Sequence, residues 1–198
     1  MKILLIGAAG TIGREIAAAL QERHEVLAAG RKNDVPVDIA DPESIKAMYA
    51  RIGPLDAVIV AAGEAAFAPL ERLSDADFNL SVGSKLMGQV NVVRYGIKAL
   101  NDGGSFTLTS GVLAQQPIPG SAAITLVNAG LEGFVRAAAL EMPRGLRVNV
   151  VSPGWVSETL TAMGQDPSTG IPAREVAGAY VRALESRDSG TVIGAAPR

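Results

Sequence analysis

The sequence contains no cysteine and a single histidine, His24. Without cysteine, the chain can form no disulfide framework, thiolate nucleophile or cysteine-ligated metal site. The histidine lies between a predicted helix and the next apolar run, where a turn residue is expected. That position argues against histidine-dependent catalysis and against a multi-histidine metal centre. We therefore expect no metal site.

Charge is also scarce and nearly balanced. The chain has 18 lysines and arginines against 20 aspartates and glutamates, a net charge of −2, so it carries no basic footprint for nucleic acid. Its apolar runs are interrupted by charges or glycines well before they reach membrane-spanning length. The first predicted strand begins at residue 2, which leaves no room for a signal peptide. We expect a cytoplasmic protein with a small-molecule substrate and neither a nucleic-acid nor a membrane partner.

Apolar residues make up 48% of the 198 residues, which is enough to bury one sizeable core. Strand-like runs alternate with helical patterns along the whole chain, typical of right-handed crossovers in a parallel sheet. We therefore predict an α/β fold: a Rossmann-type, doubly wound parallel sheet of about seven strands in a single domain, residues 1–198. The predicted strands are 2–6, 25–29, 35–38, 56–60, 105–109, 147–151 and 191–193, and the predicted helices are 14–21, 41–51, 84–100, 121–141 and 173–185.

Three glycines at three-residue spacing separate the first strand from the first helix, in Gly7-Ala-Ala-Gly-Thr-Ile-Gly13. Gly7 would allow a sharp turn, Gly10 would leave space where a pyrophosphate approaches, and Gly13 would let the helix pack on the strand. The N–H groups and dipole of the helix would face the anion. The pattern predicts a dinucleotide site, the alternative being a tight turn without a ligand.

In a doubly wound sheet, ligands bind at the carboxyl ends of the strands near the point where the strand order reverses. Small residues cluster at the predicted ends of five strands, in segments 7–13, 30–32, 61–63, 109–111 and 153–156. The coincidence favours a single long ligand that lies across the sheet edge.

Two cations, Arg31 and Lys32, follow the second predicted strand, where the adenosine ribose of a dinucleotide would lie. An acidic residue there would select NAD through the 2′-hydroxyl. Arginine instead matches a 2′-phosphate through its planar fork, and lysine adds a point charge. NADP is therefore favoured. Asp34 is close enough in sequence to keep NAD open, and a solvated surface pair is the non-functional alternative.

Six segments carry a family resemblance: 7–13, 38–39, Ala61-Ala62-Gly63, 104–111, 119–120 and 147–154. In this order they resemble the short-chain dehydrogenase/reductase family over nearly the full length, with Ala61-Ala62-Gly63 in place of the family's Asn-Ala-Gly. The resemblance implies an NAD(P)-dependent oxidoreductase with the adenine near Asp38-Ile39 and the nicotinamide near Pro153-Gly154. The predicted cofactor contacts are Gly7, Ala9, Gly10, Thr11, Ile12, Gly30, Arg31, Lys32, Asp38, Ile39, Ala61, Ala62, Gly63, Asn128, Pro153, Gly154 and Val156.

The catalytic positions depart from the family pattern. The resemblance implies a Tyr-x-x-x-Lys pair early in the long helix, an upstream serine and an asparagine on the preceding helix. There the tyrosine exchanges a proton with the substrate oxygen and the lysine lowers the tyrosine pKa. The corresponding residues here are Ile124, Asn128, Gly111 and Lys85. The three tyrosines of the chain, Tyr49, Tyr95 and Tyr180, lie in other predicted helices, far from this segment in sequence.

A substitute catalytic set is predicted at the nicotinamide end: Lys85, Ser110 and Asn128. A lysine desolvated beside a cationic ring would have a lowered pKa and could donate a proton. The structural alternatives are that Lys85 decorates a helix and that Ser110 is a hydrogen bonder at a strand end.

Three functions remain open on the sequence alone. The first is an NADP-dependent oxidoreductase with non-standard catalytic residues, and the second is a catalytically silent NADPH-binding sensor or regulatory protein. The third is a module that has also lost the nucleotide. The two long helices, 84–100 and 121–141, carry small apolar residues typical of a two-fold interface, so a homodimer or homotetramer is expected.

Overall fold

Seven parallel strands form a single sheet in the order β3-β2-β1-β4-β5-β6-β7 in the computed structural model, which describes residues 1–195. The predicted Rossmann-type doubly wound sheet is confirmed. The strands are β1 (Lys2–Ile6), β2 (Glu25–Gly30), β3 (Val35–Pro36), β4 (Leu55–Val60), β5 (Leu100–Thr109), β6 (Arg147–Pro153) and β7 (Val192–Ala195). The helices are α1 (Thr11–Leu20), α2 (Pro42–Arg51), α3 (Asp75–Ser81), α4 (Gly88–Gly96), α5 (Ala122–Ala138), α6 (Ser157–Ala162) and α7 (Ala173–Glu185).

The sheet separates two hydrophobic cores, and β1 contributes to both. Leu4 and Ile6 face the core shared with α2, α4 and α5, whereas Ile3 and Leu5 face the core shared with α1 and α7. Successive side chains of a strand point to opposite faces, so a strand buried on both sides is apolar throughout. The strand order reverses between β1 and β4, which places the crevice for a ligand at their carboxyl ends.

The segment predicted as one helix, 84–100, is more complex than the sequence indicated. Helix α3 begins earlier, with a capping box between Ser74 and Asp77. A π-helical turn, Val82–Met87, separates α3 from α4, and a 3₁₀ turn, Ile97–Ala99, follows α4. Residues 101–104, predicted to stop this helix, instead belong to β5.

The third strand is shorter than predicted and comprises only Val35–Pro36. Proline has no N–H to donate to the ladder, and the N–H of Asp38 donates to Ser44 Oγ at 2.9 Å rather than to a strand. Asp38 and Ile39 therefore lie in the connection to α2. That helix begins as expected, since the Asp41 side chain accepts a hydrogen bond from the N–H of Glu43.

Within residues 1–195, no helix combines the length and the apolar character needed to cross a membrane.

Candidate functional site

A cavity of about 860 Å³ opens at the carboxyl ends of β1, β2 and β4. It lies at the reversal of strand order, where doubly wound folds bind nucleotides. Nine of the predicted cofactor contacts line it: Gly7, Ala9, Gly30, Arg31, Lys32, Asp38, Ile39, Ala62 and Gly63. The remaining lining residues are Ile6, Asn33, Val37, Ala40, Glu64, Leu80 and Ser84.

The three glycines of the turn between β1 and α1 have different structural roles. Gly7 has a φ of +89°, and a Cβ built on it would lie 2.5 Å from the carbonyl oxygen of Ala61. A Cβ on Gly13 would collide with the carbonyl of Gly7, so α1 approaches β1 only because this position is glycine. Gly10, directly before α1, has a φ of −75°, and an added Cβ would meet only Gly7 O, at 3.3 Å. The fold therefore requires Gly7 and Gly13, whereas Gly10 keeps open the space above the turn.

Arg31 lies directly after β2 and carries an unexpected partner. Its Nη2 is 2.9 Å from Oε1 of Glu64, and their side chains are 69% and 54% exposed. Sequence reasoning identified Arg31 and Lys32 but overlooked Glu64, which follows Ala61-Ala62-Gly63. An acidic residue at the end of a strand that borders the same crevice was the available signal. Lys32 also lines the cavity, whereas Asp34 is exposed and is not among the lining residues.

Asp38 and Ile39, which are predicted to lie near an adenine, are held by the turn after β3. Asp38 Oδ1 accepts a hydrogen bond from the N–H of Ala40 at 3.0 Å, so the carboxylate stabilises the turn. Ile39 is buried against α4, where a Cβ on Gly88 would come within 2.9 Å of the Ile39 carbonyl oxygen. Both residues line the cavity, which gives it one polar and one apolar wall at this end.

Lys85 lies in the π-helical turn and reaches the end of β5. Its Nζ donates to the carbonyl oxygen of Ser110 at 3.5 Å, and Gly63 packs so closely that a Cβ there would lie 2.9 Å from Lys85 Cα. Burial of the ammonium group lowers the pKa of Lys85 from 10.5 to about 8. The turn thus places a cation of reduced basicity between the ends of β4 and β5.

Ser110 is buried, and its hydroxyl contacts a carboxylate that sequence reasoning missed. Oγ donates to Glu132 Oε1 at 3.1 Å, and Gln115 Nε2 donates to Glu132 Oε2 at 3.0 Å. Glu132 is only 3% exposed. The available signal was helical spacing, because Ile124, Asn128 and Glu132 recur every four residues on one face of α5.

Asn128 is 1% exposed, and its Oδ1 has no hydrogen-bond partner among residues 1–195. Its amide faces the end of β5, since a Cβ on Gly111 would lie 3.0 Å from Nδ2. Leaving a buried carbonyl unpaired costs about 1–3 kcal/mol. A hydrogen-bond donor of a bound molecule would therefore be stabilised at Oδ1 of Asn128. Ile124, one turn earlier, is half-buried and has no proton to exchange.

Tyr180 lies next to this region in space although it is remote in sequence. Its hydroxyl is 2.6 Å from Thr109 Oγ1, and Thr109 Oγ1 in turn donates to the carbonyl oxygen of Val60 at 2.5 Å. Tyr180 is fully buried in the core shared by α1 and α7, and burial raises its pKa well above the usual range. It therefore joins the ends of β4 and β5 as a protonated structural group.

The loop after β6 completes the edge. Gly111 packs near Pro153, whose carbonyl oxygen would be 3.8 Å from a Cβ on Gly111. Trp155 packs edge-on against Phe67, with ring centroids 6.4 Å apart. Val156 is buried in the core shared by α1 and α7, so only its backbone can meet a ligand.

Ten of the predicted site residues do not line the cavity: Gly10, Thr11, Ile12, Ala61, Gly154, Val156, Lys85, Ser110, Asn128 and Pro153.

The predicted residues thus fall into two groups along one sheet edge. Around β1 and β2 lies an open cavity with cations, and around β5 lie Lys85, Ser110 and Asn128 with the additional carboxylate of Glu132. Within the described part of the chain, no three histidine, cysteine or acidic side chains are close enough together to hold a metal ion.

Known proteins share this architecture. Residues 7–193 match a family model described as enoyl-(acyl carrier protein) reductase. The protein lin1944 from Listeria innocua superposes with a TM-score of 0.94 at 41% identity, covering 98% of both chains. A small-chain dehydrogenase in complex with NADPH superposes with a TM-score of 0.87 at 28% identity, covering 98% of this chain and 95% of that one.

A curated relative, the hydroxynaphthalene reductase arp2 of Aspergillus fumigatus, is 32% identical over 117 residues. The match covers 59% of this chain but only 43% of that reductase, and two further curated relatives are spanned over 66% and 65% of their length. The family model extends over nearly the whole chain, and the solved structures share the sheet and helices from end to end. The chain therefore belongs to the short-chain dehydrogenase/reductase family of oxidoreductases.

Proposed function

We propose that this chain is an NADP(H)-dependent oxidoreductase that transfers its proton through Lys85 instead of a tyrosine. The observation that carries the proposal is the position of the Lys85 ammonium, which lies on the same sheet edge as an open dinucleotide-sized cavity. Family membership supplies the class of reaction. The similar dehydrogenase that holds NADPH supports the choice of cofactor.

The residues present fit a dinucleotide. Gly10 keeps space above a helix start, and the buried Oδ1 of Asn128 lacks a partner that a ribose hydroxyl would supply. Arg31 and Lys32 border the cavity, so the 2′-phosphate that distinguishes NADPH from NADH would meet two cations. When bound, NADPH would supply a hydride to the substrate.

Lys85 is suited to supply the matching proton. With a pKa of about 8, it is mostly protonated at pH 7 and releases its proton far more readily than an ordinary lysine. Its Nζ would donate to the substrate oxygen that gains the electron pair, and solvent would then restore the proton. The Ser110 hydroxyl donates a hydrogen bond to Glu132 in this structure. While that contact lasts, the Ser110 oxygen can only accept a hydrogen bond from the substrate.

Calorimetry with NADPH and NADH tests the cofactor assignment. Gly10→Asp should abolish binding of both without unfolding the protein, because Gly10 caps α1 and aspartate is a favourable N-cap residue. Arg31→Ala should weaken NADPH binding by roughly tenfold or more and leave NADH binding nearly unchanged. Equal loss of both cofactors in the arginine variant would refute the phosphate assignment. A wild-type protein that binds neither would have lost the nucleotide altogether.

A second function, a catalytically silent NADPH sensor or regulator, is favoured by Ile124 and by the engaged hydroxyl of Ser110. This alternative predicts ligand-dependent stabilisation without turnover. A panel of ketones and aldehydes, followed by the loss of NADPH absorbance, separates the two. Steady oxidation of NADPH by any substrate would end the sensor hypothesis, and binding without oxidation across the panel would end the enzyme hypothesis.

The outer face of α5 supports self-association into a homodimer or homotetramer. Leu126 is 50% exposed there, and Ala122, Ala129 and Gly133 are exposed on the same side at helical spacing. Small residues allow close approach of a second helix. Leu126→Glu should reduce the molar mass measured by light scattering to that of a monomer, with NADPH binding retained.

A further inference from the structure

The ion pair between Arg31 and Glu64 crosses the cofactor crevice. Arg31 follows β2, and Glu64 lies four residues beyond the end of β4. These strands flank β1 on opposite sides, so their ends are roughly 10 Å apart at ordinary strand spacing. The two side chains therefore meet near the carboxyl end of β1, and both line the 860 Å³ cavity.

The backbone of Glu64 is anchored by the π-helical turn. The N–H of Glu64 donates to Ser84 Oγ at 3.0 Å, and Ser84 is buried. The preceding Gly63 has a φ of +131° and packs on Lys85. The pair itself is largely exposed, and exposed ion pairs are weak, so a competing anion can displace Glu64 from the guanidinium.

We propose that Glu64 determines how strongly this protein distinguishes NADPH from NADH, by occupying the arginine that the 2′-phosphate requires. This inference rests on the proposed cofactor function. In the free protein Glu64 accepts a hydrogen bond from Nη2 of Arg31. To bind the guanidinium, the 2′-phosphate of NADPH therefore has to displace the carboxylate of Glu64, which remains close by. NADH has no phosphate at that position and therefore does not compete with Glu64 for the arginine.

This competition weakens the binding of NADPH and leaves the binding of NADH unaffected. The 2′-phosphate has to break the ion pair between Arg31 and Glu64, and it then lies several ångströms from the displaced carboxylate at a solvated site; the two effects together correspond to roughly tenfold in affinity. Replacing the carboxylate by the isosteric amide removes the negative charge behind both effects and keeps the size of the side chain. Glu64→Gln should therefore tighten NADPH binding by roughly tenfold and change NADH binding by less than about twofold.

The test is calorimetry of both cofactors with wild type, Glu64→Gln, Arg31→Ala and the double variant. Glu22→Gln is the matched control, since Glu22 is exposed and lies in the turn after α1, away from the cavity lining. In the Arg31→Ala background the effect of Glu64→Gln on NADPH should be smaller than in the wild type, because there is no ion pair to break and only the repulsion between carboxylate and phosphate remains.

Three results would overturn the inference. Weaker NADPH binding by Glu64→Gln would mean that Glu64 positions Arg31 for the phosphate, and parallel changes for NADPH and NADH would mean that Glu64 does not discriminate. A control variant with the same effect would assign it to net charge. If the wild type binds NADPH and any of these three results is found, only the proposed role of Glu64 is refuted. If wild type binds neither cofactor, the proposed function fails with it.

Discussion

Replacing Lys85 by methionine should make the protein more stable and remove its proton donor. Methionine has a similar length and no charge, so it fills the same space beside Gly63 and the end of β5. The pKa of Lys85 falls from 10.5 to about 8, which means that the fold disfavours its charged form. The corresponding upper bound is about 3 kcal/mol, and because Lys85 is only partly buried we expect a gain of about 1–2 kcal/mol at pH 7.

The gain in stability from Lys85→Met must decrease as the pH rises above about 8. Below about pH 8 the lysine is protonated in both folded and unfolded protein, so its full cost is present. Between about pH 8 and 10.5 the folded protein loses this proton while the unfolded chain still holds it, and the wild type becomes relatively more stable. The advantage of Lys85→Met should therefore be largest at pH 7 and shrink toward pH 10.

Thermal and urea unfolding at pH 7 and pH 9.5 measure this difference. At pH 7 the melting temperature should rise by about 2–8 °C, and Lys98→Met, which removes an exposed lysine, should change it little. With an accepted substrate, NADPH oxidation by Lys85→Met should fall about 10²–10⁴-fold, and wild-type turnover should decline above about pH 8. A variant that is destabilised, or equally stabilised at both pH values, would refute the assigned burial of charge. Unchanged turnover would refute the proton donor.

Two further substitutions test the supports of the site. Gly13→Ala should lower the free energy of unfolding by about 1–3 kcal/mol, measured in urea, because its Cβ meets the Gly7 carbonyl, whereas Gly10→Ala should cost far less. Tyr180→Phe should cost about 1 kcal/mol by losing the bond to Thr109 yet leave NADPH binding intact; a large loss of turnover at normal stability would instead place this hydroxyl in the reaction.

The strands and the glycine turn could be predicted because their causes are local. A strand buried on both faces is apolar throughout, as in β1, and a helix that starts against such a strand needs glycine at the contact, as at Gly13. The basic residues after β2 predict a phosphate subsite, which stays a prediction. In each case a few neighbouring residues carry the requirement, so the requirement is visible in the sequence.

The sequence by itself determined the sheet and the glycine turn between β1 and α1, and it carries isoleucine at position 124, where the family resemblance implies a tyrosine. Only the tertiary structure showed that Glu64 faces Arg31, that Glu132 holds Ser110 and that Tyr180 joins Thr109. These contacts link residues that are 33, 22 and 71 positions apart in the chain. The π-helical turn that carries Lys85 likewise lies against α5 and against Gly63, which the fold brings to it from distant parts of the chain. Hydrophobic periodicity records which face of an element is buried, but the partner of a polar side chain depends on which strand ends the sheet brings together.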